Sequence, residues 1–157
     1  MYIIEVCSGI CKEAVIEKVH PSDFAILTKK RYSFNWQSVK KTTTIYKLTI
    51  KGEKDILGVI ALIDYPEEKR IEIKLLASSN ENQGKNKRYD RIAGCLIAFA
   101  CKLSAEKYFK FACVSLLPKT ALINHYKQKY YMAWGGWQLY LESTALDKLV
   151  IEYFHEL

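Results

Sequence analysis

Residues 71–103 constrain the fold more than any other part of the chain. The run Ile71-Glu72-Ile73-Lys74-Leu75-Leu76-Ala77 alternates as a strand does. A polar loop rich in Asn follows, Ser78 to Asn86, and gives way to Lys87 and Arg88. The chain then enters a long apolar segment in which Ile92, Leu96, Phe99 and Leu103 recur at helical spacing. The order is therefore strand, basic loop, helix. The first amides of a helix have no internal acceptor, and the helix dipole is positive at that end. A basic loop feeding a helix N-terminus is a natural place for a phosphate group.

The flanking segments place this unit in a sheet. Thr44 to Ile50 alternates and is rich in β-branched residues. Lys51-Gly52-Glu53-Lys54-Asp55 reads as a hairpin loop, and Ile56 to Asp64 as a more buried strand. Tyr65-Pro66-Glu67-Glu68-Lys69 is the next turn, so three strands form an antiparallel meander. After the helix, Phe111 to Leu117 reads as a short strand, which makes a parallel pair through a right-handed crossover. Thr120 is placed to start a further helix through Leu122, Tyr126 and Tyr130. Met132 to Leu141 reads as two short strands bent at Gly135-Gly136. Ser143 or Thr144 is expected to cap a last amphipathic helix. In the N-terminal third, Tyr2 to Cys7 reads as an edge strand, and Ile10 to Val19 fits either helix or strand. A helix is expected from Pro21-Ser22-Asp23. Phe34 and Trp36 are either core residues or one wall of a pocket.

The 157 residues, half of them hydrophobic, suit a single domain over 1–157. A net charge of +7 favours an anionic partner. Five cysteines without a CxxC pair, and three histidines without ligand spacing to them, give no metal site and suggest reduced thiols. The start of the chain lacks the pattern of a signal peptide, and the longest apolar run is too short to cross a bilayer, so a cytoplasmic location is expected. Neither a nucleophile elbow, a Walker loop nor a zinc-protease motif occurs.

Arg88-x-x-Arg91-x-Ala93 resembles the acyl-CoA loop of the GNAT N-acetyltransferase superfamily, whose pattern is Gln/Arg-x-x-Gly-x-Gly/Ala. The element order is similar as well: a mixed α/β (α+β) layout, with a central mixed sheet, an antiparallel meander, a β-α-β crossover and flanking helices. The resemblance implies that acetyl-CoA is the co-substrate and that an amine is the acceptor. It implies that the central strands splay near Leu75, Leu76 and Ala77, whose backbone would bond the pantetheine arm as an added strand does. The amides of Tyr89, Asp90, Arg91, Ile92, Ala93 and Gly94 would hold the pyrophosphate, with Lys87, Arg88 and Arg91 adding charge. Arg91 stands where the superfamily has glycine. It would either bind a phosphate itself or obstruct the site.

The same resemblance assigns Tyr126 as the general acid that protonates the departing thiolate. A phenol of pKa about 10 suits a thiol of about 8.5. Lys119 takes the place of the superfamily's asparagine, seven residues earlier, and Tyr130-Tyr131 replaces its Gly-Phe pair. Glu72, on the strand beside the expected cleft, is the candidate base, with His125 behind it. Direct transfer from a bound thioester needs no enzyme nucleophile, which agrees with the motifs that are missing. Two alternatives stay open. One is a GNAT-like CoA-binding protein without catalysis, prompted by Arg91 and Tyr130-Tyr131. The other is a basic nucleic-acid-binding module, prompted by the charge and by runs such as Lys29 to Trp36. Trp134, Trp137 and Tyr140 on the late strands either pair across a homodimer or belong to the core.

Overall fold

The computed structural model describes residues 1–118 and 120–154. Among these residues, nine strands form one sheet in the order β6-β1-β2-β3-β4-β5-β7-β9-β8. They are β1 (Tyr2–Glu5), β2 (Cys11–Lys18), β3 (Thr44–Ile50), β4 (Gly58–Tyr65), β5 (Arg70–Ser78), β6 (Tyr89–Asp90), β7 (Cys113–Leu116), β8 (Ala133–Trp134) and β9 (Leu139–Glu142). The helices are α1 (Lys29–Tyr32), α2 (Ile92–Tyr108), α3 (Ile123–Lys129) and α4 (Ser143–Tyr153). Among the described residues β5 and β7 alone pair in parallel, and α2 is their crossover; the other neighbours are antiparallel.

Strand alternation divides the core between the two faces of the sheet. Leu48, Ile60, Leu62, Ile71 and Ile73 face α2 and α4, where they meet Leu96, Ile97, Leu146 and Leu149. The residues between them, Ile45, Val59, Ala61 and Ala77, face the other way and pack on Leu27, Tyr32 and Trp36. Trp36 is fully buried, and its indole N–H donates to the Tyr32 carbonyl at 3.0 Å. It is a core residue, whereas Phe34 is half-buried and lines a cleft. Gly58 lets the start of α2 approach the sheet, since a Cβ there would lie 2.5 Å from Ile92 Cγ2.

One open local reading is settled and three expectations change. The segment open to helix or strand holds strand β2, Cys11–Lys18, which pairs with β1 and β3. Strand β1 is not an edge, because β6 covers its outer side through Ile4↔Asp90 and Glu5↔Tyr89. The helix expected from Pro21 is a single 3-10 turn, Pro21–Ala25, followed by the four-residue α1. Glu142 at the end of β9, rather than Ser143 or Thr144, stands at the N-cap of α4.

Candidate active site

The parallel ladder between β5 and β7 stops at Ile73↔Leu116. Beyond that point β5 continues to Ser78, paired with β4 alone, while Leu117 and Pro118 lead the other chain segment away. The register against β4 slips at the same place: Leu62 faces Ile73 and Ala61 faces Leu75, so Lys74 is a bulge residue. One edge of Leu75, Leu76 and Ala77 is thereby left without a partner strand. It lines a cleft of about 670 Å³.

The far wall of the cleft is the loop into α2. Its shape is set by Asn82, whose buried side chain accepts from the Tyr89 amide at 2.8 Å and donates to Ser79 Oγ at 2.8 Å. β6 then pins the loop to β1. Arg91 takes up the left-handed conformation at the N-cap of α2, with φ 79°. Glycine adopts that conformation most readily, which gives the superfamily's glycine a physical reason. Ile92, Ala93 and Gly94 form the first turn, where amides have no intrahelical acceptor.

Charge in the cleft is mostly positive. Lys74, Lys87 and Lys129 line it, and Asp90 is the one carboxylate among the described lining residues. Asp90 accepts from the Arg91 amide and from Lys87 Nζ, both at 2.8 Å. Burial would raise its carboxyl, but these two donors outweigh that and hold it below the usual carboxylate range. The third wall is α3. Leu122, His125, Tyr126, Lys129 and Tyr130 recur at helical spacing and all line the cleft. Burial pushes the Tyr126 phenol up, so it stays protonated over a wider pH range.

Of the residues singled out in the sequence, the cleft gathers Leu75, Leu76, Ala77, Lys87, Tyr89, Asp90, Arg91, Ile92, Ala93 and Tyr126. Four others stand apart from the lining or outside the description. Arg88 is exposed, its guanidinium 5.2 Å from the Tyr89 ring centroid. Gly94 is buried against Tyr153. Glu72 lies on the face of β5 away from α2, one register step before the ladder ends, and accepts from Tyr65 Oη at 3.4 Å. Lys119 lies outside the described residues. Within the lining, the Arg91 amide donates to Asp90 Oδ1, and its guanidinium donates to the Tyr2 and Glu152 carbonyls. Lys74, Lys129 and Asn82 were missed. The α3 periodicity and the step from Ile71 and Ile73 to Leu76, which interrupts a strict alternation, are the signals that point to the first two.

Among the described residues, no group of three or more His, Cys, Asp or Glu could hold a metal ion, and no helix is long and apolar enough to cross a membrane.

No family model matches the chain, and no curated protein matches it. Solved structures do. The spermidine/spermine N-acetyltransferase SpeG of Vibrio cholerae superposes with a TM-score of 0.63 at 14% identity, over 86% of this chain and 97% of that one. An acetyltransferase of Bacillus subtilis in complex with CoA gives 0.56 at 13% identity, over 83% and 99%. The IAA acetyltransferase of Bacillus cereus gives 0.54 at 15% identity, over 83% and 100%. The chain has the fold of GNAT-type acetyltransferases.

Proposed function

We propose that the cleft binds acetyl-CoA and that the protein transfers the acetyl group to an amine by direct attack in a ternary complex. The observation that carries this reading is the half-unpaired β5, which runs from the bulge at Lys74 toward the first turn of α2. Its open edge offers backbone donors and acceptors to an extended amide-containing chain, as in strand addition. The residues fit the group: an apolar and amide-lined channel leads to a helix N-terminus flanked by Lys87 and Lys129. When bound, acetyl-CoA supplies an activated thioester.

The chain's own groups would do the rest. Leu75, Leu76 and Ala77 would hold the pantetheine arm through their backbone. The amides of Ile92 and Ala93, with Lys87 and Lys129, would hold the diphosphate. Tyr126 Oη would keep its proton until the sulfur leaves, which its buried position favours. Glu72 would accept a proton from the acceptor amine on the opposite face of the sheet, through water. His125, beside Tyr126 with ring centroids 5.7 Å apart, is a second candidate from inside the cleft.

Binding without turnover is the second reading, and Glu72 favours it, because the candidate base lies outside the lining of the cleft. Release of free CoA thiol, followed with a thiol reagent, separates the two. Acetyl-CoA is incubated with a panel of polyamines, aminoglycosides, lysine peptides, free peptide N-termini and aminoacyl-tRNA. Amine-dependent thiol release is expected. Saturable CoA binding with no release across the panel would leave only the second reading.

A further inference from the structure

Arg91 occupies a position that favours glycine, yet its side chain is tied to two other elements. Nε donates to the Tyr2 carbonyl at 3.2 Å, and Nη2 donates to the Glu152 carbonyl at 3.1 Å. The guanidinium lies 4.2 Å from the Tyr2 ring centroid and 4.4 Å from that of Tyr153. Tyr2 belongs to β1, and Glu152 and Tyr153 end α4. Glu152 O is among the last carbonyls of a helix, which lack an intrahelical donor and sit at the negative end of the dipole. Arg91 therefore caps the C-terminus of α4 with a cation.

The same end of α4 is fastened twice more. Tyr131 Oη donates to Glu152 Oε2 at 2.6 Å. Tyr153 is buried on Gly94, where a Cβ would fall 2.1 Å from the ring. The first turn of α2 is thus held between the two ends of the chain, β1 on one side and α4 on the other. A planar guanidinium with several directed donors can join two carbonyls and two rings at once, which neither glycine nor lysine can do.

From this geometry we infer that Arg91 is a positioning residue for the phosphate-binding turn: it locks the start of α2 between β1 and α4 and does not itself contact the phosphate. The inference rests on the cleft reading given above. Its loss leaves the cleft with the same cations but with a turn that is free to move.

The test compares wild type with Arg91→Gly and Tyr153→Leu. Glycine accepts the left-handed backbone, so the first variant removes the tether without adding strain. The second leaves the arginine charge in place. CoA is titrated calorimetrically at several salt concentrations, and amide hydrogen exchange is followed by mass spectrometry. Both variants should exchange faster at the first turn of α2, including Cys95, whose amide donates to the Arg91 carbonyl at 2.9 Å. Both should bind CoA more weakly, Arg91→Gly by about tenfold, the equivalent of about 1.4 kcal/mol. The dependence of affinity on salt should run parallel in all three proteins, because no phosphate contact is lost. A flattened salt dependence in Arg91→Gly with wild-type affinity in Tyr153→Leu would make Arg91 a phosphate ligand and overturn the inference. Unchanged exchange in either folded variant would overturn it as well. A wild-type chain that binds no CoA overturns the cleft reading itself, and the exchange comparison then decides the tether alone.

Discussion

At the scale of single residues, Tyr126 carries the sharpest chemical claim. It lines the cleft on α3, it is half-buried, and burial raises its pKa. Tyr126→Phe keeps the ring and removes only the proton donor. Turnover per folded molecule should fall by roughly 10²–10⁴-fold, the range general acid catalysis supplies, while CoA affinity stays close to wild type. Calorimetry and a steady-state thiol assay measure the two quantities, with melting temperature alongside. Wild-type turnover in a well-folded Phe variant would remove Tyr126 from the mechanism. Arg91 teaches a different lesson at the same scale. The loop motif put Arg91 where the superfamily has glycine, but gave neither its left-handed backbone nor where the side chain would go. Its partners, Tyr2, Glu152 and Tyr153, lie at the two ends of the sequence, and no local pattern links them to position 91.

At the scale of elements, the bulge at Lys74 governs the cleft. It moves Leu75 and Ala77 onto the face away from α2, whereas Ile71 and Ile73 point toward α2. Deleting Lys74 removes the bulge and restores a continuous ladder with β4, so Leu75, Leu76 and Ala77 keep their partners and faces while β5 loses the local bend at which it parts from β7. The expected result is a folded protein with no measurable CoA binding. Retention of wild-type affinity by the deletion would show that the open half of β5 does not hold the ligand. The meander β3–β4–β5 and the long α2 were legible because periodicity and turn residues coincide over seven or more residues in each. Strand β2 was ambiguous, because its residues from Cys11 to Lys18 show no clear single period. The expected helix at Pro21 shrank to a turn, since Leu27 and Tyr32 are pulled into the core of the second face. Within the site, the phosphate-side loop could be read from its motif. The α3 wall was read mainly at Tyr126, although its neighbours His125 and Lys129 share the same face.

At the scale of the molecule, charge and acid stability are linked. Lys47 and Asp23 form a pair at 2.7 Å, with side chains 9% and 12% exposed, between the sheet and the segment that covers its second face. Burial would raise the Asp23 carboxyl, but Lys47 and the His20 amide outweigh it and lower its pKa. Asp64 and Asp90 are likewise lowered against burial by their cationic partners, and Glu81 is lowered by Arg31. A carboxylate with a depressed folded pKa stabilises the fold above its unfolded value, and that contribution is lost as pH falls through the folded value. Stability measured by denaturant titration should therefore be level above about pH 5 and decline steadily below about pH 4. Asp23→Asn should lower stability at neutral pH by about 3 kcal/mol, because it leaves Lys47 buried with only the more exposed Glu17 at 3.7 Å. The variant should also decline less steeply in acid. An acid slope equal to that of wild type would show that Asp23 titrates normally.

Calorimetric titration of acetyl-CoA into the wild-type chain tests the central claim most directly, because the strand edge, the first turn of α2 and the basic rim all converge on that one ligand. Saturable one-to-one binding is predicted, with a dissociation constant on the order of 1 μM to 1 mM, the span usual for enzyme substrates. The absence of saturable heat up to several millimolar acetyl-CoA, from a protein shown to be folded, would contradict it.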